Sequence, residues 1–163
     1  MSPAQQLRKL MLREPRLTLA VAESLTAGHV QAVVASVSGA SEYFLGGITA
    51  YTVQQKTRLL GVNRAHAARV NGVSPRVAVE MAVGALERFG ADLAVATTGY
   101  AEPSRARGVK VPMAWWALCH RKRGGVTAIA NGFVEISGAR RVVVQERVAQ
   151  IVLEELTKYL DGR

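Results

Sequence analysis

Hydroxyl groups gather at two points of the sequence. Leu17–Gly28 runs L-T-L-A-V-A-E-S-L-T-A-G, a short apolar run followed by Glu23, Ser24 and Thr26 among small residues. His29–Val37, rich in Ala and Val, follows at helical length. A strand that ends in such a turn and feeds a helix sets hydroxyls and free backbone N–H groups at one point. In α/β folds that point is the carboxyl edge of the sheet, where ligands bind. A second apolar run, Asp92–Thr97, leads into Thr98-Gly99. If the two strands are neighbours, both hydroxyl turns face one crevice.

The intervening segments supply the frame. Pro3–Arg13 carries Leu7, Leu10 and Met11 at helical spacing and stops before Pro15. After the strand Leu17–Ala22 and the helix to about Val37, Ser38–Ser41 is a loop and Leu45–Val53 a second strand. Gln54–Leu60 is a short helix ended by Gly61, and Asn63–Asn71 a second one ended by Gly72. Ser74-Pro75 starts a helix with Val77, Met81 and Leu86 on its apolar face, closed by Gly90. Tyr100–Gly108 is a polar loop. Val109–His120 and Val126–Ile136 are strands of a hairpin, and a last helix spans about Arg140–Leu160, with Val148, Val152, Leu156 and Leu160 in one stripe. Strands alternating with helices, plus one hairpin, predict an α/β fold: a three-layer α/β/α single domain, residues 1–163, on a mixed, mostly parallel sheet.

With 49% hydrophobic and 20% charged residues, the chain has the composition of a folded globular protein and not a disordered one. It shows no apolar run of membrane-spanning length and no export signal, so a cytoplasmic location is expected. One cysteine, Cys119, and three scattered histidines argue against disulfides and a metal site, and no cofactor is expected. The net charge of +9 suits an anionic ligand. Its bases are dispersed apart from Arg121-Lys122-Arg123, which has the look of a solvated hairpin tip. No nucleic-acid motif accompanies them, so a nucleic-acid partner is not expected.

Taken together, an ordered set of motifs resembles the C-terminal domain of the competence/damage-inducible protein CinA. The family's E-S-C-T-G-G stands here as Glu23–Gly28, and its S-V-x-G-S/A-S as Ser36–Ser41. Its G-x-x-x-Y-S-N-x-x-K-x-x-L-L-G-V runs from Gly47 through Tyr51 and Lys56 to Val62. Gly72-Val73-Ser74, Ala91–Gly99 and Gly138-Ala139-Arg140 match further segments. The resemblance implies a nicotinamide-nucleotide amidohydrolase, converting nicotinamide mononucleotide to nicotinate mononucleotide and ammonia without metal, and a homo-oligomer. It makes Ser24 the nucleophile and Lys56 the base, with Tyr51 relaying the proton or positioning the lysine. Backbone N–H groups opening the helix after Ser24 would hold the oxyanion or the phosphate. Thr26, Gly28, Thr98 and Gly99 would contact substrate, and Arg140 would pair with the phosphate. Glu23, Tyr100, Glu102 and Arg105 are possible loop contacts, Glu23 alternatively holding the turn or orienting Lys56.

Each residue also has a plainer reading. Ser24 and Thr26 suit helix caps, Lys56 and Arg140 a solvated surface, Tyr51 a strand core, and Trp115-Trp116 one indole on each sheet face. The chain also departs from the family motifs. Leu25, Ala27 and Val53 replace Cys, Gly and Asn, and Val144 replaces a second basic residue. T-G-I-A-G-P-G-G becomes Thr98–Arg105, placing the Glu102 carboxylate where a phosphate would repel it, with Arg105, Arg107 and Lys110 as the compensating bases. Two functions are consistent with this pattern: the amidohydrolase, and a non-hydrolytic relative that binds a nucleotide or a partner in the same crevice.

Overall fold

A computed structural model describes residues 1–163. Five strands form one sheet: β1 (Leu19–Glu23), β2 (Phe44–Thr49), β3 (Leu93–Tyr100), β4 (Met113–Lys122) and β5 (Gly125–Glu135), in spatial order β2-β1-β3-β4-β5. β1 is parallel to both neighbours, and β4 is antiparallel to β3 and β5. Four strands thus run one way and β4 against them, which is the mixed, mostly parallel sheet expected. The six helices are α1 (Pro3–Met11), α2 (His29–Ala35), α3 (Val53–Leu60), α4 (Arg64–Arg69), α5 (Pro75–Phe89) and α6 (Arg141–Asp161).

The central pair of strands explains the layering. β1 contains Leu19-Ala20-Val21-Ala22, β3 contains Leu93-Ala94-Val95-Ala96, and they pair in register, Leu with Leu and Ala with Ala. Because side chains alternate between faces, one face is lined by Leu and Val and the other by alanine. The large face packs with Leu7, Met11, Val30, Val34, Val152 and Leu156 of α1, α2 and α6. The alanine face receives α5, itself small along that side at Ala78, Ala82 and Ala85. Gly84 lets α5 approach α3, since a Cβ there would lie 2.0 Å from the Leu60 carbonyl oxygen. Trp115 and Trp116 divide between the faces. Trp116 joins the first core, while Trp115 packs at the second and meets Phe133 with ring centroids 4.8 Å apart and the planes tilted by 47°.

Helix ends follow the chemistry of their caps. The Ser74 hydroxyl accepts from Val77 N–H at 3.1 Å and Pro75 opens α5, which Gly90 ends at φ +63°. The basic hairpin tip is solvated as expected, with Arg121, Lys122 and Arg123 all exposed. Arg121 pairs with Glu87 at 3.3 Å and donates to the Leu86 and Ala91 carbonyls at the end of α5.

Three boundaries differ from expectation. β2 stops at Thr49, because Thr52 caps α3 by accepting from Gln55 N–H. β4 begins only at Met113, after Pro112, while Ser104 and Val109 bridge to close the preceding loop. Most consequentially, Thr97, Thr98 and Gly99 form no turn. They lie inside β3, paired with Trp116, Trp115 and Ala114, because the antiparallel ladder to β4 carries the strand on to Tyr100. No helix is long and apolar enough to cross a membrane.

Candidate active site

β1 ends at Glu23, and the turn that follows carries Ser24 to the carboxyl edge of the sheet. From the neighbouring connection, α3 projects Lys56 back under the same edge. Lys56 Nζ donates to Ser24 Oγ at 2.8 Å and to the Tyr51 carbonyl oxygen at 3.4 Å. Ser24 is 5% exposed and Lys56 3%. Gly72, at φ +69°, lies against the lysine stem: a Cβ there would sit 3.4 Å from Lys56 Cδ. This burial withholds water from the ammonium and lowers the Lys56 pKa from 10.5 to about 8.

The turn itself is held by Glu23. Its fully buried carboxylate accepts from Gly28 N–H at 2.9 Å, Val30 N–H at 3.1 Å and Gln31 N–H at 2.9 Å. A carboxylate at a helix N-terminus satisfies unpaired donors and the helix dipole together. The expectation that the opening N–H groups of this helix receive an oxyanion or phosphate is therefore corrected: Glu23 already occupies them. The N–H groups of Leu25 and Thr26, directly after the serine, donate to no acceptor in the protein.

The two threonines expected at the ligand are also spent within the fold. Thr26 and Thr97 share a hydroxyl–hydroxyl bond of 2.7 Å, and Thr98 donates to the Gly72 carbonyl at 2.6 Å. Thr26 and Thr98 are fully buried and brace the serine turn and the Gly72 loop against β3. Gly28 caps α2 at φ +101°, outside the cleft. Gly99 lines the cleft, and its missing side chain is required by the sheet, since a Cβ would meet the Met113 carbonyl oxygen at 2.2 Å.

Ser24 and Lys56 form the floor of a cleft of about 290 Å³, walled by Leu25, Tyr51, Asn71, Val73, Gly99–Ser104 and Arg141. In a wider groove of about 570 Å³ between α1, α2 and α6, the one hydroxyl, Thr157, donates to the Leu153 carbonyl and is bonded to no base, so the chemistry selects the smaller cleft. Tyr51 is half exposed and turns its hydroxyl away from the lysine, where it accepts from Arg141. Its backbone carbonyl, not its ring, touches Lys56. Arg141 also pairs with Glu102 at 2.7 Å. Arg140, one residue earlier, is the exposed N-cap of α6 and does not line the cleft. Tyr100 accepts from Asn71 Nδ2 at 2.9 Å, whereas Arg105, Arg107 and Lys110 are exposed and lie outside the lining.

Sequence reasoning missed Asn71, Arg141 and Gln145. Gln145 reaches from α6 to donate to the Leu25 carbonyl at 2.8 Å, fixing the residue after the serine. The Asn71-Gly72 pair was a signal, because both residues adopt the left-handed conformation such a pair tolerates. Leu25 and Val144, two departures from the motifs, share one small core with Ala101, Ala114, Ile136 and Val148. The added bulk beside Ser24 is thus absorbed where a basic side chain is absent.

No group of three or more His, Cys, Asp or Glu is placed to hold a metal. The buried Cys119 thiol is pushed up to about 11 by burial and stays protonated near neutrality.

Comparison with known proteins places this arrangement. The model of the CinA C-terminal domain matches residues 2–160. The chain is 40% identical over 151 residues to a CinA-like protein of Chlorobium limicola, covering 92% of this chain and 35% of that protein. It is 41% identical over 137 residues to a CinA-like protein of Chlorobaculum tepidum, covering 84% and 31%. The chain therefore spans about a third of the length of these relatives. Among solved structures, a competence or damage-inducible protein of Enterobacter asburiae superposes with a TM-score of 0.84 at 26% identity, over 98% of this chain and 99% of that one. The competence damage-inducible protein A of Klebsiella pneumoniae shares the fold, with a TM-score of 0.87 at 23% identity over 98% and 95%. Sequence and architecture agree over nearly the whole chain, which belongs to the CinA C-terminal domain family.

Proposed function

We propose that the cleft hydrolyses a carboxamide through Ser24 and Lys56, with nicotinamide mononucleotide, the substrate implied by the family resemblance, as its substrate. The observation that carries this reading is the 2.8 Å contact between a buried serine hydroxyl and a buried lysine. Neutral Lys56 takes the Ser24 proton as Oγ attacks the amide carbon. The carbonyl oxygen becomes an oxyanion, for which the uncommitted Leu25 and Thr26 N–H groups are the nearest donors in sequence. The Lys56 ammonium then protonates the departing nitrogen, releasing ammonia and leaving an ester on Ser24. Water, deprotonated by Lys56, attacks that ester, frees the carboxylate product and restores the serine.

The test is ammonia release from nicotinamide mononucleotide by the wild type beside Ser24→Ala. The variant loses at least about a thousandfold in kcat while keeping its thermal unfolding transition. Turnover that survives the substitution refutes the serine mechanism. Ligand-induced stabilisation without ammonia release by the wild type supports the second reading, a non-hydrolytic binder, which the rewritten loop bearing Glu102 favours.

A further inference from the structure

We propose that Glu102 is an internal competitor for an anion subsite at Arg141, and so sets how strongly the cleft holds ligands with a negatively charged tail. The inference deepens the amidohydrolase reading, on which its choice of ligands rests. The cleft lining contains two cations, Lys56 and Arg141, and one carboxylate, Glu102. Lys56 is committed to Ser24. Arg141 stands at the mouth, reaching Glu102 through one guanidinium nitrogen at 2.7 Å and the Tyr51 hydroxyl through the other. Tyr51 supplies the carbonyl that holds Lys56, so the mouth and the reacting pair are joined through one residue.

A guanidinium fork receives carboxylate and phosphate oxygens with the same geometry. Glu102 thus occupies the position a ligand's anionic group would take. It is kept near by its neighbours, with Ala101 buried in the small core beside Leu25 and Pro103 following. The pair is also exchangeable: the Arg141 and Glu102 side chains are 43% and 63% exposed, so water screens their attraction and an incoming anion can displace the carboxylate. A ligand with a neutral tail displaces nothing.

The experiment measures binding by calorimetry in Ser24→Ala protein, which does not consume its ligands, with and without Glu102→Gln. The probes are nicotinamide mononucleotide and its dephosphorylated form, nicotinamide riboside. Glu102→Gln is expected to tighten the phosphorylated probe by about three- to tenfold relative to the riboside. Adding Arg141→Gln is expected to abolish that gain. An unchanged ratio of the two affinities, a gain that persists without Arg141, or failure of both probes to bind overturns the proposal. Ammonia release by the protein with Ser24 intact is assayed separately. A gain in phosphate discrimination without turnover would retain the subsite and discard the amidohydrolase.

Discussion

Replacing Lys56 with Met should stabilise the protein at neutral pH while abolishing its chemistry. Burial lowers the Lys56 pKa from 10.5 to about 8, and each pH unit is worth about 1.4 kcal/mol, so holding the ammonium in the fold at pH 7 costs about 3 kcal/mol. The sign follows from proton binding. Between pH 8 and 10.5 the unfolded lysine keeps a proton that the folded one has released, so stability rises with pH through this window. By pH 10 the cost has shrunk to below about 1 kcal/mol. Methionine fills a similar volume and carries no charge, but removes the bond to Ser24, worth about 1 kcal/mol. Lys56→Met should therefore gain about 2 kcal/mol over the wild type at pH 7, and equal it or fall slightly below it at pH 10. Urea denaturation at the two pH values measures both differences. A variant destabilised equally at pH 7 and pH 10 would show that Lys56 bears no desolvation cost, and would refute the argument for a base poised near neutrality.

Three further outcomes follow from the site's construction. With nicotinamide mononucleotide as substrate, kcat/KM should rise with pH and level off above an apparent pKa of about 8, as Lys56 loses its proton; a profile flat between pH 6.5 and 9 would assign the base elsewhere. Glu23→Ala should cost about 2–4 kcal/mol in chemical denaturation, because three N–H groups lose a buried acceptor. Ala27→Gly should gain about 0.5–1 kcal/mol by the same measurement, since Ala27 sits at φ +48°, where a Cβ is strained.

The parts of the fold that were legible were those written in local pattern. Leu19–Ala22 and Leu93–Ala96 announce buried strands, Ser74-Pro75 announces a helix start, and the stripe from Val148 to Leu160 announces α6. What escaped depends on partners distant in sequence. Nothing near Thr97–Gly99 reveals that β4 will pair alongside and continue the strand, so a ladder looked like a turn. The same limit governs the hydroxyls: Thr26 is satisfied by Thr97 and Thr98 by Gly72, and neither pairing has a local signature. Glu23 was recognisable as a residue that could hold the turn, but its three amide partners emerge only when Gly28 caps α2 in the left-handed conformation and the helix starts at His29. Arg140 and Arg141 differ by a single helical position, and only the N-cap geometry of α6 decides which side chain turns toward the cleft.

The carboxylate of Glu23 has a mechanical consequence. It belongs to the strand whose following helix it caps, so the turn bearing Ser24 is ordered as the chain folds. The Ser24–Lys56 pair is therefore set by the sheet edge and by α3. The mouth, made of residues 100–104 and the start of α6, meets that pair through Tyr51, through the Leu25 carbonyl that Gln145 holds, and through the small core that Leu25 shares with Ala101 and Val144. Exposed side chains at the mouth, such as Glu102, can then be exchanged without breaking the bond between serine and lysine.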